Sequence, residues 1–66
     1  MQLLINGEPR QVERPISLHQ LIKQLGYEEK SVAVALNGQF IPRHQYDSCM
    51  LQDAQELEVL SPMQGG

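Results

Sequence analysis

Hydrophobic and polar positions alternate in short blocks, and two Asn-Gly pairs punctuate them. The apolar run Leu3-Leu4-Ile5 ends at Asn6-Gly7, beyond which Glu8 to Glu13 is polar and extended. Asn-Gly between two such stretches is the signal for a two-residue hairpin turn, because both residues tolerate positive φ. Residues 2 to 13 are therefore predicted to be a β-hairpin. Pro9 has no N–H to donate, so the second arm belongs at a sheet edge and the first nearer the centre.

The period then changes. Leu18, Leu21, Ile22 and Leu25 fall at i, i+3, i+4 and i+7, a single apolar stripe on a helix. Ser17 and Gln20 have capping-box spacing, Ile16 is placed to staple onto Leu21, and Gly26 supplies a left-handed stop with Tyr27 set to touch Ile22. A helix of about two turns starting at Leu18 is predicted. Ser31 to Leu36, rich in small and β-branched residues, leads into Asn37-Gly38 and then Gln39-Phe40-Ile41-Pro42, a second hairpin closed by proline at its outer arm. Val32 to Leu36 is apolar enough to suit a strand covered on both faces. Arg43 to Asp53 has no sustained period and reads as a loop with one helical turn around Gln45 to Cys49. In Glu56 to Ser61, Leu57 and Val59 alternate with Glu56 and Glu58 as in a strand covered on one side.

Two hairpins with proline-marked outer arms leave one place for the last strand, between the two inner arms. The predicted sheet order is 2-1-5-3-4, with the helix across one face and the last strand parallel to the first, a connection that respects right-handed crossover. This is an α+β, β-grasp arrangement in one domain spanning residues 1–66. Because the last strand is central, residues 61–66 are expected to leave the sheet as a narrow, flexible tail.

Composition narrows the function classes. Sixty-six residues are close to the lower limit for a core without disulfides or metal. A net charge of −3 gives no nucleic-acid footprint. Cys49 is the single cysteine, so no internal disulfide forms, and the spacing of residues offers no zinc set. The first residues lack a basic segment and a long apolar stretch, and nothing later reaches membrane-spanning length. A cytoplasmic protein without nucleic-acid or membrane partners, monomeric when free, is expected.

The chemistry is expected at Gly65-Gly66. A terminal glycine pair cannot pack and is expensive to order, which makes it poor scaffold. A carboxylate at Gly66 is a poor electrophile until it is activated, most economically as a mixed anhydride with AMP. The chain has no phosphate-cradling G-x-x-x-x-G-K-[ST] loop of its own, so an ATP-using partner is implied. Glycine suits that partner because residues without Cβ can thread a tight channel.

The stretch Val34-Ala35-Leu36-Asn37-Gly38-Gln39-Phe40-Ile41-Pro42-Arg43 and the ending Glu58-Val59-Leu60-Ser61-Pro62-Met63-Gln64-Gly65-Gly66 resemble the ThiS family, the sulfur carriers of thiamine biosynthesis. The resemblance runs over essentially the whole chain. It implies a ubiquitin-like β-grasp fold and a non-enzymatic role as a protein cosubstrate. It also implies an E1-like, ThiF-like adenylyltransferase that spends ATP on Gly66, and a persulfide enzyme whose sulfur replaces AMP to give a thiocarboxylate. Thiazole synthase, ThiG-like, is the implied acceptor. On this resemblance the chain itself holds no cofactor and no metal; Gly66 is the reacting residue, and Gly65, Gln64 and Met63 form the recognised tail. One departure stands out: the family often has Asp-Gly-Asp before the last strand, where this chain has Asp53-Ala54-Gln55. If the middle residue needs positive φ, Ala54 is strained or the turn differs. Rival readings are a carrier similar to the small subunit of molybdopterin synthase, a ubiquitin-like modifier, and a β-grasp interaction domain with an inert tail.

Other side chains divide between docking and scaffold. Phe40, Leu60 and Met63 are candidate apolar anchors beside the tail, the alternative being that they close the core. Arg43 either steers docking or is a solvated loop arginine. Glu28, Glu29, Glu56 and Glu58 fit solvated faces suited to a basic partner surface better than acid–base chemistry. Cys49 fits a small buried hydrophobe better than a sulfur relay, and His19 and His44, lacking partners at useful spacing, fit surface positions.

Overall fold

A computed structural model of the chain describes residues 1–61. Strand β1, Gln2–Ile5, pairs antiparallel with β2, Glu8–Gln11, through a turn in which Asn6 (φ 51°) and Gly7 (φ 83°) both take the positive φ that the sequence demands. Pro9 lies opposite Leu4 on β2, which is exposed throughout and forms one sheet edge.

Helix α1, Leu18–Gln24, begins where its capping box predicts: the Gln20 N–H donates to Ser17 Oγ and the Ser17 N–H to Gln20 Oε1. At the other end, the Tyr27 N–H donates to Ile22 O and the Gly26 N–H to Lys23 O, with Gly26 at φ 87°. That pair of bonds is a Schellman stop, and it satisfies carbonyls that the helix end would otherwise leave bare. Leu18, Leu21 and Ile22 are buried, so the apolar stripe faces the sheet.

The second hairpin starts later than the sequence suggests. Glu29–Ser31 forms a 3-10 turn, and β3 runs from Ala33 to Leu36 before turning through Asn37 (φ 49°) and Gly38 (φ 82°) into β4, Gln39–Ile41. Ser31 is held in the turn by its N–H to Glu28 O and so never reaches the ladder. Nor is β3 covered on both faces. Val34 alone is buried, while Ala33, Ala35 and Leu36 are half-buried, because α1 covers one face of the sheet and the alternate residues of β3 point to the other.

Strand β5, Glu56–Leu60, lies between β1, to which it is parallel, and β3, to which it is antiparallel. The sheet order is β2-β1-β5-β3-β4, the β-grasp arrangement expected from the hairpins. Leu3, Ile5, Val34, Leu57 and Val59 project from the sheet into a core completed by Ile16 and α1.

Arg43 to Asp53 is more than a covering loop. Its 3-10 turn is at Arg43–Gln45, and turn bonds continue through the span expected to hold one, from the Ser48 N–H to Gln45 O and from the Cys49 N–H to Tyr46 O; Tyr46 is only 2% exposed. The loop's carbonyls serve the helix: the Leu18 N–H donates to Cys49 O and the His19 N–H to Tyr46 O, while the Leu51 N–H returns to Ile16 O. The first N–H groups of α1, which no helical partner can satisfy, are thus paired by the loop and the cap. Among the described residues no helix is long and apolar enough to cross a membrane.

Candidate functional site

The last described residues of β5 define where the tail begins. Val59 is buried and faces the core, Leu60 points the other way and is 65% exposed, and Ser61 is half-buried. Gly66, Gly65, Gln64 and Met63 lie outside the described residues, as does the predicted tail beyond Ser61.

Strand β5 is braced from both sides. The Asn6 N–H donates to Leu57 O, after which its side chain continues the ladder: Nδ2 donates to Val59 O at 3.2 Å and Oδ1 accepts from the Val59 N–H at 2.8 Å. On the opposite side Asn37 Oδ1 accepts from the Glu56 N–H at 2.9 Å and the Asn37 N–H donates to Glu56 O. Each asparagine of the two Asn-Gly turns therefore does a second task. The sequence identifies both as turn residues, but their amide bonds to a strand some 20 to 50 positions away leave no local signal.

The face of the sheet opposite α1 carries an apolar strip with acidic neighbours. Ala35 pairs with Phe40 on one side and Glu58 on the other, and Ala33 pairs with Leu60. Phe40 is 68% exposed, so it and Leu60 do not close the core, and both alternatives for them resolve toward an exposed surface. Leu4, opposite Glu56, extends the same face toward the other edge. Arg43 is exposed at the start of its 3-10 turn, beyond Pro42 at the end of β4.

Cys49 is half-buried against the core cluster, and burial pushes its thiol up from the ordinary value. A thiol biased toward its protonated form is a weak nucleophile at neutral pH. This suits the structural reading. Tyr46 is pushed up as well, first by burial, then by the negative charge of Glu29, with Arg43 opposing.

His44 lies exposed in the Arg43–Gln45 turn, as expected. His19 is different. Its ring Nδ1 contacts Glu29 Oε1 and lies 3.5 Å from Asp47 Oδ1, with the His19 and Glu29 side chains about one-third exposed. The expectation of a partnerless surface histidine fails because its partners come from two other segments, brought in by the turn at Glu29 and the loop at Tyr46.

The model of the ThiS family matches residues 3–66, from β1 through the glycine pair. The chain belongs to the ThiS family. The sulfur carrier protein ThiS of Escherichia coli K12 is 30% identical over 66 residues, covering the whole of both chains. A thiazole synthase of Paramagnetospirillum magneticum is 32% identical over 66 residues, and there the chain spans 20% of that protein's length. Among solved structures, the thiamine biosynthesis protein ThiS of Geobacter metallireducens superposes with a TM-score of 0.83 at 30% identity, again over the full length of both. The ThiS fold is thus the β-grasp seen here, with the same central last strand leading to the tail.

Proposed function

We propose that this chain is a sulfur carrier of thiamine biosynthesis, a protein cosubstrate whose reacting group is the carboxyl of Gly66. The observation that carries the reading is the family match, which extends through Gly65 and Gly66. The fold supports it physically. A strand locked between two neighbours and braced by Asn6 up to Val59 gives Leu60 and the residues after it a fixed point of departure.

In this reading an E1-like adenylyltransferase joins the Gly66 carboxylate to the α-phosphorus of ATP, releasing pyrophosphate and leaving an acyl adenylate. A persulfide of a sulfur-delivering enzyme then attacks the acyl carbon and expels AMP. A thiol cleaves the resulting acyl persulfide, forming a disulfide with the donor sulfur and leaving the thiocarboxylate on Gly66. Thiazole synthase takes that sulfur, consistent with a protein of that name containing a segment similar to this chain. Cys49 has no step in the sequence. Gly65, Gln64 and Met63 thread the partner's channel, and Phe40 and Leu60 provide the docking surface, from which Arg43, in a pocket with His19 and Glu29, stands apart.

The test is reconstitution of the full-length chain with ATP, an adenylyltransferase of this class and a persulfide donor, read by tail-peptide mass spectrometry with a thiol-selective alkylating probe. Exchange of sulfur for one oxygen at Gly66 is expected. Deletion of Gly66 is expected to abolish it with the circular dichroism spectrum unchanged. ATP-dependent isopeptide conjugates without thiocarboxylate would replace the carrier reading with that of a modifier.

A further inference from the structure

On the helix side of the sheet, away from the strip that carries Phe40 and Leu60, three donor groups converge from three separate segments. His19 sits in the first turn of α1, Glu29 in the 3-10 turn that precedes β3, and Asp47 in the loop after Arg43–Gln45. His19 Nδ1 and one carboxylate oxygen from each acid lie within 4.8 Å of one another. The backbone fixes this convergence. The His19 N–H donates to Tyr46 O at 3.1 Å, which sets the residue before Asp47 against the helix, and the Ser31 N–H to Glu28 O at 2.9 Å closes the turn that holds Glu29.

A hydrogen bond alone does not satisfy this arrangement. Nδ1 can carry one proton, which serves one carboxylate; the second is then left beside a like charge. Both acids approach the same ring nitrogen, Glu29 in contact and Asp47 at 3.5 Å. A divalent ion at the common point would be bound by all three at once.

We infer that His19, Glu29 and Asp47 form a binding site for a divalent transition-metal ion, with Zn²⁺ the reference ion. One imidazole and two carboxylates suit zinc and its neighbours, whereas Ca²⁺ and Mg²⁺ prefer an all-oxygen shell. Metal–ligand bonds of about 2.0–2.2 Å place tetrahedral ligands roughly 3.3–3.6 Å apart. Asp47 Oδ1 already lies 3.5 Å from Nδ1, so the adjustment falls to Glu29, in contact with the ring, whose side chain must swing back to admit the ion, with the exposed Asp47 free to follow. A fourth position faces solvent and takes water. Lys23, Lys30 and Arg43 line the same pocket as His19 and Glu29 and temper the affinity. The bound ion would tie α1, the Glu29 turn and the Tyr46 loop together, and stabilise the fold by mass action.

The experiment titrates the full chain, as a free carboxylate, with ZnCl₂ in a non-chelating buffer above the imidazole titration range, following both histidine rings by NMR. A saturable change at His19 with Nδ1 as the coordinated nitrogen is expected, with His44 unmoved, together with a rise in Tm. Loss of a group that merely supports a ligand lowers metal affinity roughly 10–100-fold, and His19→Gln and Asp47→Asn should each lower it no less. Asp47 is exposed, so its variant separates loss of binding from loss of fold, and His44→Gln should leave affinity unchanged. Absence of a saturable response at His19 overturns the site, as does zinc affinity that survives Asp47→Asn or that depends instead on Cys49.

Discussion

Ala54 occupies the position where a glycine would be unstrained. Its φ is 69°, and its N–H donates to Gln2 O at 2.8 Å while Asp53 Oδ1 accepts from the Gln2 N–H at 2.7 Å. The turn keeps the positive φ that the sequence comparison of Asp53-Ala54-Gln55 anticipates, and the residue bears the strain. A left-handed conformation costs a residue with Cβ about 1–2 kcal/mol, offset in part by the greater unfolded-state freedom of glycine. Ala54→Gly is expected to raise the unfolding free energy by about 0.5–1 kcal/mol, measured by urea denaturation with unchanged m. A decrease would mean the strain is relieved elsewhere. Two weakly acidic side chains, buried Tyr46 and half-buried Cys49, act at the same scale. Tyr46 and Cys49 are both pushed up by burial, so the folded chain holds their protons more tightly than the unfolded chain does. The stability this provides is complete below their ordinary values of 10.0 and 9.0 and is lost as pH rises through the higher folded-state values. Alkaline unfolding should therefore steepen above these values, and Cys49→Ser should remove the earlier part while leaving sulfur loading intact. Loss of loading in a folded Cys49→Ser protein would give the thiol a chemical role.

At the scale of elements, what was legible is what is local. The capping box, the apolar stripe, the Schellman stop and both Asn-Gly turns are encoded within a few residues of where they act, and each is found where the pattern puts it. The start of β3 departs from the pattern, because the Ser31 N–H closes a turn on Glu28 O instead of joining the ladder, and the turns after Pro42 begin before Gln45. The burial of Tyr46 follows from the loop's carbonyls pairing with the start of α1, which no period in residues 43–53 announces. No local pattern joins His19, Glu29 and Asp47, which three separate segments bring together. Asn6 is the sharpest case, since its turn role is local and its brace on Val59 is not. Asn6→Gly keeps the positive φ and removes only the amide. It is expected to destabilise the fold by about 1 kcal/mol and to accelerate hydrogen exchange selectively at the Val59 amide. Exchange at Val59 no faster than in the parent chain would show that the brace contributes nothing. Ser17→Ala should cost about 1 kcal/mol by stripping one side of the capping box, again read by urea denaturation.

Among the described residues the molecule is a sheet with one face covered by α1 and the other left open, and the open face includes the outward residues of β5. A 66-residue chain has little apolar surface to leave in water, since burial is what holds so small a domain together. Phe40 and Leu60 at 68% and 65% exposure therefore contribute little to the fold, and their place on the rows that include Ala35, Glu58 and Ala33 makes them a contiguous strip. A partner that must grip the carrier while its tail reaches an active site would use a surface continuous with β5, and this strip satisfies that requirement. Truncating the few anchors at the centre of such contacts costs more than about 1 kcal/mol of binding. The double variant Phe40→Gln, Leu60→Gln should accordingly raise the KM for the carrier in adenylyltransferase-dependent ATP–pyrophosphate exchange roughly tenfold or more. The turnover at saturation should change little, because Gly66, the proposed reacting residue, is untouched, and Tm should stay near that of the parent. A KM unchanged in the double variant would move the docking surface off this face; a fall in turnover with KM constant would mean that the strip acts on the chemistry at the tail rather than on its capture.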